Sequence, residues 1–197
     1  MPQYTGGPGR IAPLDPADAA LRAAAARLLV EEFREHWSEA WPTLAEAEAE
    51  VEEALRPGKL ALAAHGPDGE LRGWIGAQPG YDGLVWELHP LVVGEPYQRR
   101  GVGRALVARL ERELHERGAL TIMLGTDDEA GLTTLGGVDL YPGLIAKLAA
   151  VESRGRHPLA FYRTMGFEVA GVVPDANGVG KPDIMMAKRV GPGPDPT

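Results

Sequence analysis

The chain has 197 residues, 44% of them hydrophobic and 24% charged, which is ordinary for a soluble protein with one real core. Its net charge of −8 disfavours nucleic acid and anionic membrane as partners and is compatible with a cationic one. No cysteine is present, so disulfides, thiolate metal sites and a cysteine acyl-enzyme are excluded, and a reducing cytoplasm is the natural compartment.

The opening MPQYTGGPGR lacks the apolar core of a signal peptide. Residues 1–8 and 191–197 read as disordered tails around a single domain at 9–190. Arg10 to Leu14 predicts a short strand. Asp15-Pro16 predicts an N-cap followed by Pro at the first helical position, opening a helix from Ala17 to about Trp37. After a break at Trp41-Pro42, Thr43 predicts the cap of a second helix through Leu55, with Glu46 at the capping-box position. The many acids of that helix read as a solvated face. Leu60 to His65 and Leu71 to Ala77 read as strands joined by Gly66-Pro67-Asp68-Gly69.

The stretch from Trp86 to Arg117 organises the rest. It reads as a strand, a glycine-bearing loop and an amphipathic helix with Val102, Leu106, Leu110 and Leu114 on one face. Glu87 and His89, two residues apart, share a strand face. Pro90 interrupts the strand and predicts a bulge or splay beside it, because proline cannot donate to the ladder. Thr121 to Gly125 follows as a buried strand running into Thr126-Asp127-Asp128-Glu129. Pro142 to Val151 reads as helical, with an apolar stripe of Leu144, Ile145, Leu148 and Val151. His157-Pro158 opens a short helix, and Val169–Val173 and Ile184–Val190 are closing strands. Antiparallel hairpins first and a parallel crossover in the middle give an α+β class with a mixed sheet. None of the five histidines pair at ligand spacing, so no metal is expected.

The loop Gln98-Arg99-Arg100-Gly101-Val102-Gly103-Arg104 has two readings. Its arginines crowd the positive end of a helix dipole, which a bound anion would make favourable. The other reading is a surface helix with incidental arginines.

QRRGVG at 98–103 matches the Gln/Arg-x-x-Gly-x-Gly/Ala signature of the GNAT superfamily of N-acetyltransferases. Together with WELHPLVV (86–93), LGTDDE (124–129), DLY (139–141), HPLAFYRTMGF (157–167) and GVVPDANGVGKPDIMMAK (171–188), the chain resembles the aminoglycoside 6'-N-acetyltransferases within it. The resemblance implies a central, mostly antiparallel sheet with a splayed parallel pair, flanked by helices. It implies acetyl-CoA as co-substrate, its pyrophosphate on Gln98 to Arg104 and its pantetheine arm along Leu91, Val92 and Val93, with the Leu91 amide as oxyanion donor. It also implies a homodimer.

Amine acetylation needs a base for the amine and an acid for the leaving thiolate. Glu87 is the candidate base, with anchoring of the substrate ammonium as its alternative role; His89 is a secondary candidate. Tyr162 matches the tyrosine that protonates the sulfur. Trp41, Asp127, Asp128 and Asp139, with Glu87, are expected on the substrate side, where a cationic amine would meet carboxylates. Thr43-Leu44-Ala45 and Met185 depart from the relatives' pattern. The leading expectation is acetyl transfer to the 6'-amine of an aminoglycoside. A polyamine or basic peptide is the alternative acceptor, and a catalytically idle acyl-CoA sensor the alternative of another class.

Overall fold

A computed structural model describes residues 7–35, 37 and 39–193. Residues 1–6 and 194–197, which hold most of the expected tails, lie outside the described residues. The chain divides into two compact units, residues 1–120 and 121–197.

In the first unit, β1 (Arg10–Pro13), β2 (Leu60–His65), β3 (Leu71–Gly80) and β4 (Val85–Val93) form an antiparallel sheet in that order. Helices α1 (Ala19–Phe33) and α2 (Leu44–Ala54) cover one face. Ala25, Ala26 and Leu29 of α1 and Ala47, Val51 and Ala54 of α2 are buried against Trp74, Ala63 and Val92. The small alanines let α1 come close, and the Trp74 indole donates to the Ala25 carbonyl at 3.2 Å. Helix α3 (Val102–Glu116) packs on β2, β3 and β4, and the expected face of Val102, Leu106, Leu110 and Leu114 is buried.

Two start signals behave differently. Thr43 caps α2 as expected, with Glu46 completing a capping box; such a cap contributes about 1 kcal/mol. Helix α1, by contrast, does not start at Asp15-Pro16. Asp18 is the N-cap and accepts from the Leu21 amide at 2.9 Å. Asp15 caps a separate turn by accepting from the Ala17 amide at 2.8 Å. Two aspartates three residues apart offered the same local bond, and only one could open the helix.

Pro90 does not end β4. The strand runs through it with a bulge: Ala77 pairs with Leu88 and Ile75 with Leu91, so His89 and Pro90 together oppose Gly76. The bulge changes the parity of the strand. Gln78 pairs with Glu87, and Trp74 pairs with Val92. Gln78 and Trp74 are four apart on β3 and so share a face. Glu87 and Val92 therefore share that face although they are five apart, and Glu87 is turned toward the α1–α2 layer.

The second unit holds β5 (Thr121–Asp127), α4 (Leu144–Ala149), α5 (Pro158–Thr164), β6 (Glu168–Val173) and β7 (Asp183–Arg189). Its strands pair antiparallel in the order β5-β7-β6. Strand β5 runs two residues past the expected Gly125, so Asp127 closes it, opposite Asp183. Helix α4 is shorter than expected and none of its residues is buried; of the predicted apolar stripe only Val151 is, while Ile145 is 74% exposed. Among the described residues no helix is long and apolar enough to cross a membrane.

Candidate active site

The first unit holds a cavity of about 320 Å³ lined by Glu50, Glu53, Ala54, Lys59, Ala77, Gln78, Glu87 and His89. Helical spacing puts Glu50, Glu53 and Ala54 on one side of α2, and the parity of β4 puts Glu87 and His89 opposite them. The solvated face expected for α2 is therefore only part of the helix. Glu48 and Glu52 are exposed, but the Glu50 side chain is only 21% exposed.

Glu87 Oε2 accepts from the Gln78 amide nitrogen at 2.8 Å. Lys59 Nζ donates to Gln78 Oε1 at 2.8 Å and to Glu53 Oε1 at 2.6 Å. The bond from Lys59 holds the Glu53 carboxyl below its usual range. His89 Nε2 lies 3.7 Å from Glu50 Oε1, and its ring is 5.7 Å from that of Trp41. Trp41 is a core residue, edge-on to Phe33 at 4.7 Å, and its ring lies beside His89 at the cavity rim. The sequence reading missed Glu50, Glu53, Lys59 and Gln78 as site residues. The periodicity of α2 carried a signal for Glu50; nothing local marked Gln78, whose role comes from strand register.

Past β4 the chain turns at Gly94 into the glycine-bearing loop. Glu32 of α1 fastens it: its carboxylate accepts from the Glu95 amide at 2.7 Å and from the Gln98 side chain at 2.8 Å. Burial pushes the Glu32 carboxyl up, and the two donated bonds oppose that shift. Gln98 also donates to the Val93 carbonyl at 3.0 Å, so its side chain serves the loop itself. Arg99, at φ 58°, and Gly101, at φ 86°, take left-handed conformations to bring the chain into α3. Among the described residues no side chain caps this helix. The first amide to bond back is that of Ala105, to Gly101 O at 2.9 Å. The amides of Val102 and Gly103 precede it, beside the exposed Arg99, Arg100 and Arg104. An uncapped helix start ringed with cations fits an anionic ligand.

In the second unit, Tyr162 is 7% exposed, edge-on to Phe161 and Phe167. Burial pushes its phenol pKa far up, so it keeps its proton at neutral pH. Asp127, at the end of β5, accepts from the Asn177 amide nitrogen through its carboxylate. The expectation that Asp128 meets substrate gives way to another role. It is 1% exposed and accepts from the Leu132 amide at 2.6 Å, the Thr133 amide at 2.9 Å and the Thr133 hydroxyl at 2.6 Å. Those bonds make it the anchor of the following loop. Asp139 is exposed and accepts from the Tyr141 amide at 2.8 Å.

Residues 23–133, more than half of the chain, match the Acetyltransferase (GNAT) family. The chain belongs to this family. An aminoglycoside 6'-N-acetyltransferase solved with coenzyme A is 40% identical, with a TM-score of 0.86 over 94% of this chain and 99% of that one. The aminoglycoside 6'-N-acetyltransferase from Enterococcus faecium is 41% identical, with a TM-score of 0.82 over the same shares. A type Ii aminoglycoside 6'-acetyltransferase is 35% identical, with a TM-score of 0.69, again over 94% and 99%. No curated protein matches the chain. The protein is thus a GNAT-type acetyltransferase of α+β class, and enzymes of this type draw the acetyl group from acetyl-CoA. The GNAT match spans the whole stretch from Trp86 through the glycine-bearing loop and α3.

Proposed function

We propose that this acetyltransferase moves the acetyl group of acetyl-CoA to the 6'-amine of an aminoglycoside by direct attack in a ternary complex. The observation that carries the reading is the cavity beside β4, where Glu87 stands with Glu50 and Glu53. Three carboxylates there suit a substrate that bears several ammonium groups. The likeness to aminoglycoside 6'-N-acetyltransferases over 94% of the chain supports the same acceptor.

Acetyl-CoA supplies an activated thioester. The amides of Val102 and Gly103 at the start of α3, with Arg99, Arg100 and Arg104, are the groups for its pyrophosphate. Leu91, Val92 and Val93 offer their backbone to the pantetheine arm, and the Leu91 amide donates to the carbonyl oxygen as charge develops there. Glu87 takes the proton that the amine loses as its nitrogen bonds to the acetyl carbon. Its Oε1, which has no partner among the described residues, is the atom for this. Tyr162 gives a proton to the sulfur as the C–S bond breaks. His89 and Glu50 border the acceptor, and Asp127 and Asp139 are further groups for its ammonium ions.

Thiol release from acetyl-CoA tests the proposal, with kanamycin or tobramycin against spermidine and lysine-rich peptides. Aminoglycoside-dependent release is expected. Release only with spermidine or peptide would favour the alternative acceptors, for which the departure at Thr43-Leu44-Ala45 is the motive. Coenzyme A binding without release to any amine would favour an idle sensor.

A further inference from the structure

We propose that Lys59 and Gln78 are positioning residues for Glu87, and that their bonds decide which of its oxygens meets the amine. The inference rests on Glu87 acting as proton acceptor. An amide has nearly the same shape either way round, so its orientation must be set by its partners. A lysine ammonium donates and cannot accept. The Gln78 atom 2.8 Å from Lys59 Nζ must therefore be the carbonyl oxygen. That leaves the NH2 group to point at Glu87 Oε2, also at 2.8 Å.

Each link is itself held. Lys59 is anchored by Glu53 at 2.6 Å, and its side chain is only 18% exposed. Gln78 and Glu87 are direct partners across β3 and β4, so the donor cannot slide along the sheet. The ammonium polarises the amide and strengthens the bond it donates onward. Glu87 Oε2 is thereby tied down, and Oε1 is kept for the amine. Without Lys59 the amide loses its second anchor and can swing away from the carboxylate. Glu87 would then lose its fixed orientation while remaining chemically intact.

The experiment is steady-state kinetics with acetyl-CoA and kanamycin on variants of the full chain. Gln78→Glu keeps the shape and the partner of Lys59 but cannot donate. Lys59→Met deletes the orienting cation, and Lys59→Arg retains it. Glu87→Asp withdraws the carboxylate from Gln78 while keeping a base. Gln78→Glu and Lys59→Met are expected to lower kcat at least tenfold with the KM for acetyl-CoA within twofold, and Lys59→Arg to recover most of the loss. In the Glu87→Asp background, Gln78→Glu is expected to cost less than threefold more. An unchanged kcat in Lys59→Met, or an equal penalty for Gln78→Glu in both backgrounds, would overturn the inference. Failure of the underlying reading shows separately, as a full rate in Glu87→Gln.

Discussion

The carbonyl oxygen of His89 occupies the place of the side chain that Gly76 lacks. A β-carbon on Gly76 would fall 2.5 Å from that oxygen and 3.3 Å from Pro90 Cδ. The oxygen is backbone and the Cδ belongs to the proline ring fused to that backbone, so neither can move without undoing the bulge that aims Glu87. Gly76→Ala is accordingly expected to destabilise by about 2 kcal/mol or more, the range of overpacking in a close-packed interior. The urea midpoint measures the stability, and thiol release is expected to fall with it because the bulge sets the parity of Glu87.

Glu32 makes no direct approach to either substrate in the proposed reaction, yet it ties the loop to α1 through Glu95 and Gln98. Glu32→Ala is expected to raise the KM for acetyl-CoA about tenfold, roughly the 1.4 kcal/mol of one charged hydrogen bond. The effect on the KM for the amine is expected to be within about twofold, since the cavity proposed for the acceptor lies away from this loop, beside Glu87 and His89. Initial rates at varied acetyl-CoA and fixed kanamycin make the comparison.

His157 gives the pH dependence of stability. It is 2% exposed; its Nδ1 accepts from the Leu159 amide at 3.1 Å, which leaves the proton on Nε2 to be donated to the Asp127 carbonyl at 3.1 Å. Burial lowers its pKa below the 6.5 of a free histidine, against the smaller pull of the Asp127 carbonyl and the nearby aspartates. Below pH 6.5 the unfolded chain therefore takes up a proton that the folded chain refuses, and stability falls with pH until the folded pKa is passed. Melting temperatures between pH 7.5 and 5.5 are expected to drop for the wild type. His157→Asn, which can still cap α5, is expected to show a shallower drop from a start lower by about 1 kcal/mol.

Asp128 is expected to matter to folding. Asp128→Ala strands two amides and a buried hydroxyl, which places the cost at about 2–4 kcal/mol. Chemical denaturation of this variant beside Asp127→Ala checks it: Asp127 is only half-buried where Asp128 is 1% exposed, so its loss is expected to cost less.

What was legible in the sequence was local. The face of α3, the Thr43 capping box and the Gly66–Gly69 turn each follow from spacing within a few residues. The GNAT motif at 98–103 and the strand before it fell in the same way. The neighbours of Glu87 were not legible, because Gln78 reaches it by strand register and Lys59 reaches Gln78 across 19 positions. Asp127 and Asp128 show the limit most sharply. They are adjacent and chemically alike, but one ends a strand half-buried and the other turns inward to hold a loop. Composition cannot separate them; the path of the backbone after β5 does.

The central claim is that Glu87 takes the proton of the attacking amine. Single-turnover and steady-state rates of Glu87→Gln with acetyl-CoA and kanamycin test it most directly. The amide keeps the shape of the side chain and removes the base. The account predicts a loss in kcat of about 100-fold or more, the scale of a general base, with the KM for acetyl-CoA within about twofold of the wild type. A Glu87→Gln enzyme that turns over at the wild-type kcat would contradict it.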